Sequence, residues 1–450
     1  MNKKIICALL ILCIMGILTA CAEKSKGGLT DPVELPDGEE PNDLILDGNN
    51  DTQSGSVSSE DSAKTEEVNV QGDIKTVADA VNKFDHDFFQ KAATDKNLFY
   101  SSYSLLNALA LLDNAAEGDT KAELEEVLGI TDIAAFNSSI KEYLKKGQNE
   151  QARVSTANGI WVSKEAQFAP EYESEYKPLA EEYFEAVIKE ADFKNDLDGV
   201  KKDISGWVSD KTEGMIGDYT PLCDESTIVD IVNAVYFYGE WQKKFDASDT
   251  YDGDFNGLNK TSNNVSLMRM DDKHFRFTED ENGIKAIALP YGDGSKEMDI
   301  FIPADGQEKN IVELMKGLDA AAEQALIEKL NSAEEETISK VIIPKFTFDN
   351  KIDNLSDILK EMGIKSAFEN KNEFTKIAQD LVVSDIGHKA KIEVDEEGSR
   401  AAAVTEAMMN LTSVAESDRK LEFIADKPFV FVIRDKDNNL ILFRGMITEL

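Results

Sequence analysis

Between Glu396 and Lys420 the chain carries a stretch patterned as a strand and composed as a loop. Taken alternately from Ser399, its residues are Ser399, Ala401, Ala403, Thr405, Ala407, Met409 and Leu411, all small or apolar. The other parity holds Arg400, Ala402, Val404, Glu406, Met408 and Asn410, and with them both charges. Residues i, i+2 and i+4 of a strand share a face, so this segment can bury one face in a sheet without burying a charge. Three consecutive alanines behind Gly398 make it a poor strand by propensity. A segment able to become a strand, but not committed to it, points to a conformational switch.

The rest of the chain reads as a large α+β protein. With 450 residues, 42% of them hydrophobic, it has ample material for one large core or two domains. Val77, Val81, Phe84, Phe88 and Phe89 form a helical stripe, and the spacing predicts further helices over 101–116 and 121–128. Residues 152–162 and 227–237 read as buried strands. Two apolar runs, 429–433 and 440–447, flank Asp435-Lys436-Asp437-Asn438-Asn439, a hairpin signal. Helical and strand periods mix without an internal repeat or regular βαβ alternation, which suits a large mixed sheet with helices packed on it. The net charge of −39 repels nucleic acid and anionic headgroups, and can steer cationic partners. Four cysteines, Cys7, Cys13, Cys21 and Cys223, make no disulfide framework; Cys223 reads as a lone thiol.

The amino-terminal end carries its own signal. Lys3-Lys4 precedes an apolar run from Ile5 to Leu18, short for a transmembrane span. Leu18-Thr19-Ala20-Cys21 follows and resembles a bacterial lipobox. The expectation is a lipoprotein signal peptide over 1–20, a diacylglycerol on the Cys21 thiol, and a protein secreted and anchored to the bacterial cell surface. An ordinary secretory signal, with Cys21 incidental, is the alternative. From Ala22 to Asp73 there are 14 acidic and 3 basic side chains, three prolines and no aromatic residue. Such a segment cannot bury enough apolar surface to offset its ordering entropy, so 21–75 is expected to be a disordered tether spanning ~40 Å, ahead of a folded domain over 76–450.

The switch segment resembles the hinge and reactive-centre loop of the serpins, a family of serine protease inhibitors. The family hinge reads Glu-Glu-Gly-Thr/Ser-Glu-Ala-Ala-Ala; here Glu396, Glu397, Gly398, Ser399, Ala401, Ala402 and Ala403 match, and Arg400 stands where the family usually has Glu. Asn97-Leu98-Phe99-Tyr100-Ser101-Ser102-Tyr103-Ser104, with Ser102 in place of a usual Pro, and Val232-Asn233-Ala234-Val235-Tyr236-Phe237-Tyr238-Gly239-Glu240-Trp241 are similar to family motifs. So are Leu289-Pro290-Tyr291, Ile343-Pro344-Lys345-Phe346, His388-Lys389-Ala390 and Lys427-Pro428-Phe429, in the family's order. Each is weak alone; in order over roughly 76–450 they are specific.

The resemblance implies a serpin fold: a large central mixed sheet, further sheets, about eight to nine helices and an exposed reactive-centre loop over about 396–420. It implies a monomeric inhibitor that is not an enzyme, needs no cofactor or metal, and is cut by a serine protease. Sixteen residues after Glu396 the scissile bond falls at Thr412–Ser413, with Leu411 and Met409 as fallbacks because the loop is longer than usual. Thr or Leu there suits elastase-, chymotrypsin- or subtilisin-like pockets; Arg419 lies too far along for an insertable strand of normal length. Ser101, Ser104, Asn233 and His388 resemble the polar cluster beneath the parting strands, Gly239 and Trp241 the region where the hinge enters, and Lys345 with Glu396 a family salt bridge there. By parity Arg400 points to solvent. No heparin site is expected from so acidic a chain.

Competing readings are a non-inhibitory serpin-like surface binding protein, an unrelated solute-binding lipoprotein, and an enzyme. The enzyme reading has little to stand on. The histidines are His86, His274 and His388, and Ser384, Asp385 and His388 are too close in sequence to form a nucleophile–base–orienter set unaided.

Overall fold

The computed structural model describes residues 72–146, 151–384, 386–399 and 421–450. Cys21 and the leader, the tether as far as Gln71, and residues 400–420 lie outside the described residues. Arg400, Ala401, Ala402, Ala403, Met409, Leu411, Thr412 and Ser413 are therefore among those not described.

The first helix spans Ile74–Ala92. It starts ahead of Thr76 because Asp73 caps it, its carboxylate accepting the Lys75 N–H at 3.0 Å and satisfying a donor that a helix start leaves free. Val77, Val81, Phe84, Phe88 and Phe89 are fully buried along one stripe. Helix Ser102–Asp113 is buried at every residue, the only stable setting for a helix with apolar residues all round. It touches strands Val229–Glu240 and Leu440–Ile447, which belong to two different sheets.

The six-stranded sheet runs in the order Phe346–Lys351, Ile386–Val394, Gly398–Ser399, Val229–Glu240, Ala152–Ser163, Val187–Ala191. It is mixed, with parallel pairs between the second and fourth of these strands and between the last two. The nine-stranded sheet runs Leu98–Tyr100, Leu440–Ile447, Phe429–Asp435, Lys296–Pro303, Ile284–Tyr291, Thr261–Glu279, Glu335–Pro344, Leu421–Ile424; Tyr251–Asn256 pairs to the side of Thr261–Glu279. The predicted closing hairpin is present, Phe429–Asp435 against Leu440–Ile447.

One face of strand Val229–Glu240 packs Val229, Ile231, Val235 and Phe237 into the main core. The other packs Val232 and Ala234 with Trp161, Ile204, Val208 and Tyr219 into a smaller core, closed by helix Leu197–Lys211. Ten α-helical segments are present among the described residues, against eight or nine expected; the surplus is short, such as the four-residue Ser366–Glu369. No described helix is long and apolar enough to cross a membrane. Cys223 is a free thiol, and burial pushes it up to about 12.

Candidate functional site

Strands Val229–Glu240 and Ile386–Val394 run in parallel, paired from Ile231↔Ile386 to Tyr236↔Lys391. Above that ladder they part, and Gly398–Ser399 fills the gap. Gly398 and Ser399 pair antiparallel with Glu240 and Gly239 on one side, and Ser399 pairs antiparallel with Val394 on the other. The start of the switch segment is thus already a strand in the sheet.

A tight turn delivers it there. The Asp395 N–H donates to the Gly398 carbonyl at 2.9 Å, and the Asp395 carboxylate accepts the Glu397 N–H at 2.9 Å. Trp241 holds the turn from beside it: its Nε1–H donates to the Asp395 carbonyl at 2.9 Å and its backbone N–H to the Glu397 carbonyl at 2.8 Å. Gly398 has φ +154°, and a Cβ on it would stand 2.0 Å from the Gly239 carbonyl oxygen. Only glycine fits so close an approach. A Cβ on Gly239 would in turn meet the rings of Phe237 and Tyr291 at 2.7 and 2.8 Å.

Ser399 is fully buried, and its Oγ lies 2.6 Å from the Tyr291 Oη. Tyr291 stacks on Trp241 with centroids 4.4 Å apart and planes 10° from parallel. Glu396 meets the Lys345 ammonium at 2.8 Å and accepts the Thr250 hydroxyl at 2.8 Å. Burial opposes its ionisation, but these two partners outweigh burial and hold its carboxyl below the usual range. Lys345 is 39% exposed, so the ion pair contributes ~0.2–1 kcal/mol; it positions more than it stabilises. Glu397 pairs with Lys244 at 2.8 Å.

Lower in the seam, Ser101, Ser104, Asn233 and His388 lie together, all fully buried. The Ser101 N–H donates to His388 Nε2 at 3.2 Å, which makes Nε2 the acceptor and Nδ1 the protonated nitrogen. Nδ1 then donates to the Asn233 Oδ1 at 2.5 Å. Asn233 Nδ2 donates to Ser104 Oγ at 2.7 Å and to Asn158 Oδ1 at 2.8 Å. The Ser101 hydroxyl donates to the Leu442 carbonyl at 2.7 Å and accepts the Ser104 N–H at 3.1 Å. Every member is bonded, as a buried polar network requires. Burial alone lowers the His388 pKa to about 3, so the imidazole is neutral. His388 and Asn233 are register partners on the two seam strands, so their bond crosses the line along which the sheet would open.

Sequence reasoning left Asn158 out of this cluster and gave Tyr291 no role. Asn158 had a weak signal, a lone amide within an apolar strand pattern. Tyr291 stood in a quoted motif, but its partner is distant in sequence. The segment 212–228, also missed, spans the seam: Glu213 accepts from Tyr236 Oη at 2.9 Å and from Arg153 at 2.6 Å, while Asp218 pairs with Lys389 on the far strand at 2.8 Å.

A profile of the serpin family, Serpin (serine protease inhibitor), matches residues 79–450. The leukocyte elastase inhibitor of Bos taurus is 30% identical over 366 residues, covering 78% of this chain and 93% of its own length. Serpin48, a highly specific serpin of the insect Tenebrio molitor, is similar in structure with a TM-score of 0.70 at 27% identity, over 84% of this chain and 98% of that one. Human thyroxine-binding globulin complexed with its hormone gives a TM-score of 0.71 at 21% identity, over 84% and 99%, a likeness of fold alone. Serpins are mostly protease inhibitors rather than enzymes, and some do not inhibit. With the family profile matched to the last residue and relatives aligned over almost their whole length, this chain belongs to the serpin family.

Proposed function

We propose that the protein is a suicide-substrate inhibitor of serine endopeptidases. The observation that carries this reading is Gly398–Ser399 seated at the top of the seam, antiparallel to both neighbours. Six residues on from Ser399 is Thr405; six back from Gly239 is Asn233, and six back from Val394 is His388. Continued downward, both registers therefore bring Thr405 to the polar cluster. In the same register Ala401, Ala403, Ala407 and Met409 come opposite Phe237, Val235, Ile231 and Val229, all buried and apolar. The polar inward residue after Ser399 meets the polar patch, and the apolar ones meet apolar neighbours. Insertion replaces one parallel ladder by two antiparallel ones, which are more stable per residue.

Arg400 comes beside Tyr238, which is half-buried, so its charge keeps access to water. Glu406 comes opposite Val232, which is fully buried beneath the Leu197–Lys211 helix and the segment after it. That cover must shift for the strand to enter fully.

In the reaction the protease's serine Oγ attacks the Thr412 carbonyl carbon, its own base takes the hydroxyl proton, and that proton leaves on the new amine of Ser413. The ester joining Thr412 to the protease then faces two fates. Water hydrolyses it and the protein has acted as a substrate, or the loop enters the seam first and carries the acyl-enzyme with it. Leu411 and Met409 are the next candidates for the cut. Elastase-, chymotrypsin- or subtilisin-like proteases are the expected targets. The lipobox and the acidic segment behind it support a lipid on Cys21 and a domain held off the cell surface by a tether that ends before the Asp73 cap. Cys21→Ser should abolish incorporation of labelled fatty acid and move the protein from the detergent phase to the aqueous phase.

The inhibitory reading is tested by incubating the domain with elastase, chymotrypsin, subtilisin and trypsin. The expected result is an SDS-stable complex with one of the first three and a released fragment beginning at or near Ser413. Clean cleavage without a complex would favour a non-inhibitory surface binding protein.

A further inference from the structure

We propose that Tyr291 is a positioning residue for trapping: its hydroxyl sets the register in which the loop enters the sheet. This rests on the inhibitory reading above. The need for such a residue lies in the loop itself. Strand register is specified by side-chain pattern, and a one-residue slip exchanges the two faces. Ala401, Ala402 and Ala403 are identical, so this run of the hinge cannot tell one register from the next. The choice has to be made before them, at Ser399.

The geometry makes it there. Tyr291 ends strand Ile284–Tyr291 of the nine-stranded sheet and bridges to Trp241. Its ring is clamped, stacked on Trp241 and packed edge-on against Phe237 at 4.9 Å and 62°. The fully buried ring leaves the hydroxyl one fixed position, 2.6 Å from Ser399 Oγ. In the observed register two buried hydroxyls satisfy each other. Slipped by one residue, the same place receives either Gly398, which has no hydroxyl, or Arg400, whose guanidinium would lie unpaired among Trp241, Phe237 and Tyr291. Each slip leaves a buried polar group unmatched, and that is costly. The serine–tyrosine pair therefore selects the register that later brings Thr405 to Asn233 and His388.

The test compares Tyr291→Phe, Ser399→Ala and the double variant with the wild-type chain, using a protease that the wild type traps. The readout is the number of loops cleaved per protease trapped. Tyr291→Phe keeps the ring stack and removes only the hydroxyl, so the fold should survive, with a thermal midpoint lowered by a few degrees for the Ser399 hydroxyl left unmatched. Cleavage per trapping event should rise about two- to ten-fold in each single variant, the range set by one hydrogen bond. The double variant separates register selection from simple satisfaction of two hydroxyls. Removing both partners of a buried bond is close to neutral where only satisfaction matters, and trapping would then recover. Register selection predicts that the double variant stays as defective as either single one, because both changes remove the same contact. Recovery in the double variant, or wild-type trapping by Tyr291→Phe, overturns the proposal. A wild-type chain that forms no complex overturns the inhibitory reading, and this proposal with it.

Discussion

Ser399→Arg is expected to turn the protein from an inhibitor into a substrate. Ser399 is fully buried in the resting protein, against Tyr291 and between Gly239 and Val394. An arginine there would bury an unpaired charge at a cost of about 3–5 kcal/mol, or be excluded together with the hinge. Insertion would lose its competition with hydrolysis by a factor on the order of a hundred or more. The bait residues near Thr412 are untouched, so the protease should still cut and the released fragment should still begin at the same residue. Denaturing gels should show complete loop cleavage and no complex. Full trapping at wild-type stoichiometry would refute the inward assignment of Ser399. Arg400→Glu, one position along on the outer parity and matching the usual family residue, should trap like the wild type.

The second large effect is a loss of stability in acid that traces to one histidine. His388 has its pKa lowered by burial to about 3, against ~6.5 in an unfolded chain. A depressed value means that the fold prefers the neutral ring. The associated stability is fully present above pH 6.5 and is lost as the pH falls from there towards 3. The slope is ~1.4 kcal/mol per pH unit, so about 3 kcal/mol is gone by pH 4.5. Protonation would also give Nε2 a proton where the Ser101 N–H now donates, setting donor against donor within the cluster. Thermal midpoints measured from pH 7.5 to 4 should fall more steeply for the wild type than for His388→Gln, which keeps every other titrating group and lacks only the imidazole. Parallel curves would show that His388 is not the group responsible.

Much of the fold was legible because it rests on local periodicity. The Val77, Val81, Phe84, Phe88, Phe89 stripe, the largely apolar helix after Ser101 and the closing hairpin could be read directly from spacing. Boundaries slipped where a cap decides them, as at Asp73, whose side chain starts the first helix ahead of the expected residue. The candidate site was legible in part. His388, Asn233, Ser101 and Ser104 lie far apart in sequence yet within one hydrogen-bonded cluster. Asn158 joins them without having been singled out, because an isolated amide in a strand is only a weak signal.

The sequence by itself determined that the segment after Glu396 has one uncharged face, a glycine hinge and an alanine run with weak register, because side-chain order and backbone propensity are local properties. Tertiary structure alone decided that Gly398–Ser399 already sits between two strands and that Tyr291 waits opposite Ser399. Those facts depend on which distant strands lie side by side and on their offset. One residue of slip would reverse them all, and nothing in the local order of residues encodes it.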